Sequence, residues 1–216
     1  AGELVVDAAE QAARDLACVG VNVNFAPVVD IGRRLDDPAA RLSPMTRRAI
    51  SSDERTVAQT ARDYCRAFRE QGVQCTLKHF PGLGPARGDT HAQTVTLPEV
   101  RDEDLFPFRE IARDEPPWIM LGHVEIAALD PGRPASASAR AISVLRRDWG
   151  FDGVLVTDDV SMAAYARDVR GNVVASLSGG ADLALASYDP DLAYVALDAI
   201  IRARRGDPAF AAAMQT

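Results

Sequence analysis

Short apolar runs alternate with helical patterns along the whole chain, and this alternation constrains the fold more than any other feature. The strand candidates are residues 21–29, 73–77, 118–121, 153–157 and 183–186. Each is a short apolar run between longer segments whose apolar residues recur at helical spacing. Continuous apolar strands that alternate with helices are typical of a parallel sheet with helical crossovers, so the sequence predicts an α/β fold.

Helical patterns occupy the segments before, between and after these strands. The predicted helices cover residues 4–19, a segment capped by Asp53 and closed by Gly72, residues 105–112, residues 138–148, a stretch through 174–177, and a last helix from Asp189 to about residue 205. No repeat, low-complexity tract or linker divides the 216 residues, so we predict one domain over residues 1–216. The pattern alone leaves two architectures open, a doubly wound sheet and a (β/α)8 barrel.

Composition narrows the class of protein and its partners. The formal net charge of −7 argues against nucleic acid or an anionic membrane as the main partner. No apolar run reaches the roughly 20 residues that span a bilayer. The sparse, odd cysteine count (Cys18, Cys65 and Cys75) predicts buried, reduced thiols without a disulfide framework. Reduced thiols favour the cytoplasm, whereas the cell envelope or secretion stays open if a signal precedes this segment.

The segment from Lys78 to His91 is the stretch in which ionisable groups concentrate. It reads Lys-His-Phe-Pro-Gly-Leu-Gly-Pro-Ala-Arg-Gly-Asp-Thr-His and carries two of the three histidines of the chain. Its prolines and glycines exclude a helix, so we predict a shaped loop that leaves the strand at residues 73–77. Ionisable side chains on a loop held by a rigid scaffold are typical of an active site. The alternative is a surface loop with incidental charges.

Polar side chains follow four of the five predicted strands. Asp30 follows the first strand, Lys78 and His79 the second, His123 the third and Asp158 the fourth. Because the carboxyl ends of parallel strands share one face, we expect these side chains to converge although they are distant in sequence. The donors of Lys78 and His79 could hold substrate hydroxyls or form salt bridges at the strand end.

Two pairs of neighbouring residues indicate acid–base or nucleophilic chemistry. Asp158 ends an apolar strand and is the favoured working carboxylate, whereas Asp159 is predicted to cap the helix that begins near residue 161. The alternative is that both only cap. Asp89 lies two residues before His91, which is close enough to hydrogen-bond the imidazole. Such a contact suits His91 to give and take a proton near neutral pH.

Three other kinds of site fit the sequence less well. The Gly-Leu-Gly at residues 82–84 lacks the Gly-Lys-Ser/Thr or helix start of a phosphate loop. A metal site made by His79, His91 and Asp158 would lack a paired-ligand signature such as His-x-His on one strand. A nucleophilic serine would need a Gly-x-Ser-x-Gly elbow, which is absent from the sequence.

These residues resemble the signature of family 3 glycoside hydrolases of the bacterial β-N-acetylhexosaminidase type. The resemblance rests on Lys-His-Phe-Pro-Gly at residues 78–82, followed by Asp-Thr-His at residues 89–91. Segments 24–30, 48–53, 120–124 and 145–162 are similar to further family segments in the same order. Two positions depart from the pattern: Leu83 stands where a second histidine is usual, and Arg48 is followed by Ala-Ile instead of Ser-Phe.

The resemblance implies a retaining glycosidase on a (β/α)8 barrel that uses neither a metal nor an organic cofactor. Asp158 would be the nucleophile, and His91, oriented by Asp89, would be the general acid and then the base. An imidazolium would protonate the leaving oxygen without a second negative charge beside the nucleophile, unlike the usual pair of carboxylates. The implied substrate is terminal N-acetylglucosamine of peptidoglycan fragments or related glycans. The residues implied to bind it are Arg48, Lys78, His79 and His123.

The resemblance also implies that the chain holds only part of the barrel. Five strands are predicted where eight close a barrel, so residues 1–216 would be the C-terminal portion of the catalytic domain, with strands four to eight. Such a portion would expose a sheet edge, and we expect it to pair with a missing N-terminal segment or with itself. The alternatives are a non-catalytic degenerate domain, a family 3 β-glucosidase-like hydrolase, and an unrelated, metal-dependent hydrolase.

Overall fold

Helices and strands alternate along the chain in the computed structural model, which describes residues 2–32, 44–113 and 117–214. The strands are β1 (Val23–Asn24), β2 (Gln74–Phe80), β3 (Val95–Leu97), β4 (Trp118–Leu121), β5 (Val124–Ile126), β6 (Leu155–Asp159) and β7 (Leu183–Leu185). The α-helices are α1 (Gly2–Cys18), α2 (Glu54–Glu70), α3 (Asp102–Ala112), α4 (Ala139–Ser143), α5 (Ala163–Ala166), α6 (Val169–Ser178), α7 (Pro190–Gly206) and α8 (Pro208–Ala213). Within these ranges no helix is both long and apolar enough to cross a bilayer.

The chain forms two compact units. The first consists of Ala1–Arg87, Val100–Met120 and Phe151–Gly153. Its strands β1, β2 and β4 are neighbours in that order. Strand β1 runs parallel to β2, with Val23 opposite Gln74. Small residues of α1 meet the apolar face of α2 in a buried cluster of Ala9, Ala13, Ala67, Phe68 and Val73. This packing holds α2 in place beside the start of β2.

The second unit is drawn from Gly88–Glu99, Leu121–Gly150 and Val154–Thr216. It contains the parallel pair β3–β5 and the parallel pair β6–β7. The β6–β7 register shifts between Val156 and Asp159, where the end of β6 departs from regular pairing. Helices α5 to α8 supply most of one buried cluster, which includes Tyr165, Val173, Leu177, Ala196 and Phe210. The parallel pairing in both units confirms the predicted α/β class.

All five predicted strands are present, but only the third, Trp118–Leu121, has the predicted bounds. The first is only Val23–Asn24 long, because Pro27 has no N–H to continue the ladder. The second extends to Phe80, since Lys78 donates its N–H to the Pro27 carbonyl and accepts a hydrogen bond from the Val29 N–H. The prediction that the loop begins at Lys78 is therefore wrong. Strands β3 and β5, with three residues each, were not predicted.

Helix starts follow the predicted capping residues. The Asp53 carboxylate accepts a hydrogen bond from the Thr56 N–H at the start of α2, and Asp189 accepts one from Asp191 at the start of α7. Ser138 likewise caps α4, but the predicted helix 138–148 ends in a π-helical turn over Val144–Asp148. The tail after Gly206 forms α8.

The cysteines correct the sequence prediction. Cys65 at the end of α2 and Cys75 in β2 form a disulfide with 5.4 Å between their Cα atoms, and Cys18 is a free, exposed thiol. Sequence alone did not reveal the pairing, because the two residues meet only after the chain reverses between helix and strand. Disulfides persist in oxidising compartments. The prediction of reduced thiols is therefore wrong for Cys65 and Cys75.

Removal of the disulfide is expected to destabilise the chain. The double variant Cys65→Ala/Cys75→Ala should lose about 2–4 kcal/mol in the free energy of unfolding, because the unfolded chain is no longer cross-linked. Urea denaturation followed by circular dichroism measures the change. The control is Cys18→Ala, which removes the exposed thiol and should shift stability by no more than about 0.5 kcal/mol. Equal stability of the double variant and the wild type would contradict the expectation.

Candidate active site

A buried carboxylate–imidazole pair lies at the end of β2 in the first unit. His79 Nδ1 is 2.8 Å from Asp30 Oδ2, and the two residues are 4% and 0% exposed. The other carboxylate oxygen of Asp30 accepts hydrogen bonds from the main-chain N–H groups of His79 and Leu83, at 3.3 and 2.6 Å. Because a carboxylate can only accept, Nδ1 of His79 carries a hydrogen. Asp30 thus fixes both the ring of His79 and the loop that follows β2.

The glycines of the loop after β2 allow close packing within the first unit. A Cβ atom on Gly84 would lie 2.1 Å from the Ile31 carbonyl oxygen, so no side chain fits there. Gly82 has φ of +118°, and a Cβ atom there would meet Asp104 at 2.9 Å. Burial raises the pKa of the Asp104 carboxyl, and hydrogen bonds from Arg101 at 2.7 and 2.8 Å partly offset that rise. The Gly-x-Gly spacing therefore serves close backbone packing in this unit.

The other predicted sugar-binding residues of the first unit are Lys78 and Arg48. Lys78 is partly buried within β2. Arg48 is exposed on the turn that follows the 3-10 helix Pro44–Arg47, where its main-chain N–H donates to the Met45 carbonyl. The Lys78–His79 and Phe80–Pro81 peptide bonds are cis. Arg48 carries guanidinium donors of the kind that the predicted role requires, whereas the Nδ1–H of His79 is donated to Asp30.

The predicted contact between Asp89 and His91 is present in the second unit. Asp89 Oδ1 lies 2.7 Å from His91 Nδ1 and also accepts the main-chain N–H of His91 at 2.9 Å. Both side chains are more than half exposed. The His91 carbonyl accepts a hydrogen bond from the Ala163 N–H, at the start of α5 just after β6. The Asp89 carboxylate therefore orients the imidazole, whose Nε2 lies on the opposite side of the ring from Asp89.

Asp158 and Asp159 end β6 in the same unit and have different surroundings. Asp158 is half-buried, and its Oδ1 accepts the Asp159 N–H at 2.9 Å. The Asp159 carboxylate accepts main-chain N–H groups of Ser161 and Ser187 at 2.8 Å each, the Ser187 hydroxyl, and the Tyr188 N–H at 3.1 Å. Helix α5 begins later, with Met162 as its cap. The prediction that Asp159 caps this helix is therefore wrong: Asp159 holds the segment after β7.

The electrostatics of Asp159 follow from these contacts. Desolvation acts to raise the pKa of its carboxyl, but hydrogen bonds from Ser161 and Ser187 outweigh this effect and hold the pKa well below its usual range. The carboxylate is therefore ionised and engaged within the protein at neutral pH. The role of Asp158 as the working carboxylate stays a prediction.

His123 is fully buried, at 0% exposed, in the second unit. Its Nε2 lies 2.9 Å from the Asp159 carbonyl oxygen, and its Nδ1 lies 2.7 Å from the Ser136 hydroxyl. Its ring also packs on Tyr165, with 4.5 Å between the ring centroids. The sequence analysis grouped His123 with the sugar-binding residues. This environment instead favours a role inside the protein, at the strand end that carries Asp158.

The sequence analysis named the candidate site residues but did not predict which side chains they contact. Asp30 was recognised as a strand-end residue, but not as the partner of His79. Ser136 and Ser187 gave no signal, because isolated serines are common in loops. Across residues 2–32, 44–113 and 117–214, no group of three or more histidine, cysteine or acidic side chains is placed to hold a metal ion.

Comparisons with known proteins agree on one family. The profile described as "Glycosyl hydrolase family 3 N terminal domain" matches residues 2–209. The β-hexosaminidase LpqI of Mycobacterium tuberculosis is 36% identical over 192 residues, which are 84% of this chain and 48% of that protein. The β-hexosaminidase of Methylococcus capsulatus is 32% identical over 213 residues, 93% of this chain and 61% of that protein. The chain thus spans about half the length of the curated relatives it matches.

Solved structures agree with these sequence matches. The β-N-acetylhexosaminidase of Beutenbergia cavernae superposes with a TM-score of 0.91 at 30% identity, over 99% of this chain and 65% of that one. A family 3 glycosyl hydrolase of Mycobacterium smegmatis gives 0.86 at 33% identity, over 100% and 70%. These matches and the parallel strands are consistent with the predicted partial (β/α)8 barrel. From the profile, the identities and the fold together, the chain belongs to glycoside hydrolase family 3.

Proposed function

We propose that the chain is the catalytic portion of a retaining β-N-acetylglucosaminidase. The observation that carries the proposal is the Asp89–His91 hydrogen bond at 2.7 Å, in the same unit as a strand-end carboxylate at Asp158. An oriented imidazole and a carboxylate supply the acid, base and nucleophile that glycoside hydrolysis needs. The names of the family 3 relatives, β-hexosaminidase and β-N-acetylhexosaminidase, support the same activity.

In the first step, a carboxylate oxygen of Asp158 attacks the anomeric carbon. The bond from that carbon to the leaving oxygen breaks while His91 donates a proton to the leaving oxygen, which produces a covalent glycosyl-enzyme. In the second step His91 takes a proton from water as the water oxygen attacks the anomeric carbon and releases Asp158. Two displacements restore the original β configuration. Asp89 supports both steps because its hydrogen bond at 2.7 Å keeps the His91 ring in one orientation.

Arg48, Lys78 and His79 are proposed to bind the N-acetylglucosamine unit. The N–H donors of Arg48 and Lys78 match sugar hydroxyls and the acetamido oxygen, which accept hydrogen bonds. In His79 the Nδ1–H is already donated to Asp30, so a neutral ring would act toward a sugar hydroxyl as an acceptor at Nε2. The substrate class is terminal N-acetylglucosamine of peptidoglycan fragments or related glycans. His123, which the sequence analysis placed in this group, is assigned another role below.

The stereochemistry of the first product tests the proposal. The 216-residue chain is expected to cleave an aryl N-acetyl-β-glucosaminide and to release the β anomer first, as followed by proton NMR before mutarotation. The matching aryl β-glucoside, which lacks the acetamido group, is the control and should be cleaved far more slowly. Release of the α anomer would rule out Asp158 as a nucleophile. Preference for the glucoside would favour a β-glucosidase-like enzyme, and no hydrolysis would favour a non-catalytic domain.

A further inference from the structure

We propose that His123 and Asp159 are positioning residues that hold the main chain next to Asp158. This inference rests on the proposed nucleophilic role of Asp158. A nucleophile must be held in line with the anomeric carbon, and small displacements of a reacting group are costly in rate. Asp158 is the next-to-last residue of β6, where regular pairing with β7 is interrupted. Asp158 thus lies in the irregular stretch between the paired residues Val156 and Asp159, where contacts besides the β7 ladder can set its orientation.

The first of these contacts comes from His123. Its Nε2 lies 2.9 Å from the Asp159 carbonyl oxygen. A carbonyl oxygen only accepts hydrogen bonds, so Nε2 carries a hydrogen and donates it. In a neutral imidazole Nδ1 is then an acceptor, and the Ser136 hydroxyl at 2.7 Å donates to it. The Asp159 carbonyl thereby selects the tautomer, and the Ser136 hydroxyl satisfies the remaining ring nitrogen.

The ring of His123 is itself held in one orientation. It is fully buried and packs on Tyr165 at 4.5 Å between the ring centroids. The Tyr165 hydroxyl is bonded to Ser176 at 2.9 Å, and Ser176 donates to the Asn172 carbonyl within α6. The His123 ring therefore rests on a hydrogen-bonded part of the core, and its Nε2 donor has little freedom to move away from β6.

The second set of contacts comes from Asp159 and the residue after it. The Asp159 carboxylate is bonded to Ser161 on one side and to Ser187 and Tyr188 on the other. The Val160 N–H, in the same peptide unit as the Asp159 carbonyl, donates to the Leu185 carbonyl at 2.8 Å. The carbonyl and the N–H of that peptide unit therefore both have hydrogen-bond partners within the protein. The Asp159 carboxylate has partners as well.

A hydrogen bond connects Asp159 to Asp158, the proposed nucleophile. The Asp159 N–H donates to Asp158 Oδ1 at 2.9 Å. Because Asp159 is held at its carbonyl and at its carboxylate, this N–H has a fixed direction, and it orients the Asp158 carboxylate. His123 is consequently inferred to affect the rate of attack without contact with the sugar.

Two amide substitutions of His123 separate the contact with Asp159 from the contact with Ser136. In His123→Gln the side-chain amide nitrogen reaches about as far as Nε2 and can still donate to the Asp159 carbonyl. In His123→Asn the amide nitrogen reaches only about as far as Nδ1, on the Ser136 side. Both variants bury an amide at the same place, so both should lower the melting temperature by similar amounts.

The positioning role predicts different kinetics for the two variants. His123→Asn should lower kcat about 100-fold with KM within about threefold of wild type, whereas His123→Gln should retain kcat within about fivefold. A structural role alone would lower the apparent kcat in proportion to the loss of folded protein, by the same factor in both variants. Equal kcat values for the two variants would overturn the proposal.

Hydrogen exchange tests the same claim without reliance on activity. Mass spectrometry of a peptide covering residues 155–162 should show faster amide exchange in His123→Asn than in wild type, and near wild-type exchange in His123→Gln. Unchanged exchange in His123→Asn would overturn the positioning role whether or not the chain hydrolyses a glycoside. Absence of hydrolysis by the wild type would overturn the proposed function instead, so the two failures are distinguishable.

Discussion

Replacement of Asp158 by alanine is expected to lower kcat for an aryl N-acetyl-β-glucosaminide by at least about 10,000-fold. In the proposed mechanism this carboxylate forms the bond that replaces the leaving group, and the adjacent carboxylate is not placed to take over. Asp159 is the nearest carboxylate in sequence, but its oxygens are bonded to Ser161, Ser187 and Tyr188. Initial rates with the chromogenic substrate measure the loss.

Azide distinguishes loss of the nucleophile from loss of folding. In Asp158→Ala a small anion can enter the space of the carboxylate and attack the anomeric carbon directly, so azide should restore turnover and yield the α-glycosyl azide. The control is Asp152→Ala, which removes an exposed aspartate that precedes β6. It should keep the wild-type rate. Hydrolysis by Asp158→Ala at more than about a hundredth of the wild-type rate, without azide, would contradict the nucleophilic role.

Replacement of His91 by alanine is expected to have an effect that depends on the leaving group. For natural glycans, whose leaving alcohols are poor, kcat should fall by about 100- to 10,000-fold because no proton reaches the leaving oxygen. For an aryl glycoside with a strongly acidic phenol the first step should be nearly unaffected. Hydrolysis of the glycosyl-enzyme should then limit turnover, because without His91 no base activates the attacking water. Rates over a series of phenols of different acidity measure this dependence.

A partial variant and azide test the assigned role of His91. Asp89→Asn keeps an acceptor oxygen for the His91 ring but removes its charge, so its rate should lie between those of wild type and His91→Ala. Azide needs no base, and with His91→Ala it should release the glycosyl-enzyme as the β-glycosyl azide. His91 is more than half exposed, so the variant should melt within about 2 °C of wild type. An equal loss of rate for all phenols would contradict the acid role.

The sequence predicted those features that depend on residues close together along the chain. The five apolar strands, the caps at Asp53 and Asp189, and the contact between Asp89 and His91 all depend on residues within a few positions of each other. The family signature is of the same kind, because it is read from short contiguous segments. The contacts of single residues were not predicted wherever their partners lie far along the chain. The bonds of His123 to Ser136 and to the Asp159 carbonyl, and the pairing of Cys65 with Cys75, are the clearest cases.

The sequence by itself determined the α/β class, the family and the identity of the candidate acid, base and nucleophile, because periodicity and motif spacing are local properties. Only the tertiary structure decided how these groups are held. Asp30 meets His79 across 49 positions, His123 meets the Asp159 carbonyl across 36, and Asp159 meets Ser187 across 28. Each contact joins the ends of different strands. It forms only after the helical crossovers have brought parallel strands side by side, which no local pattern encodes.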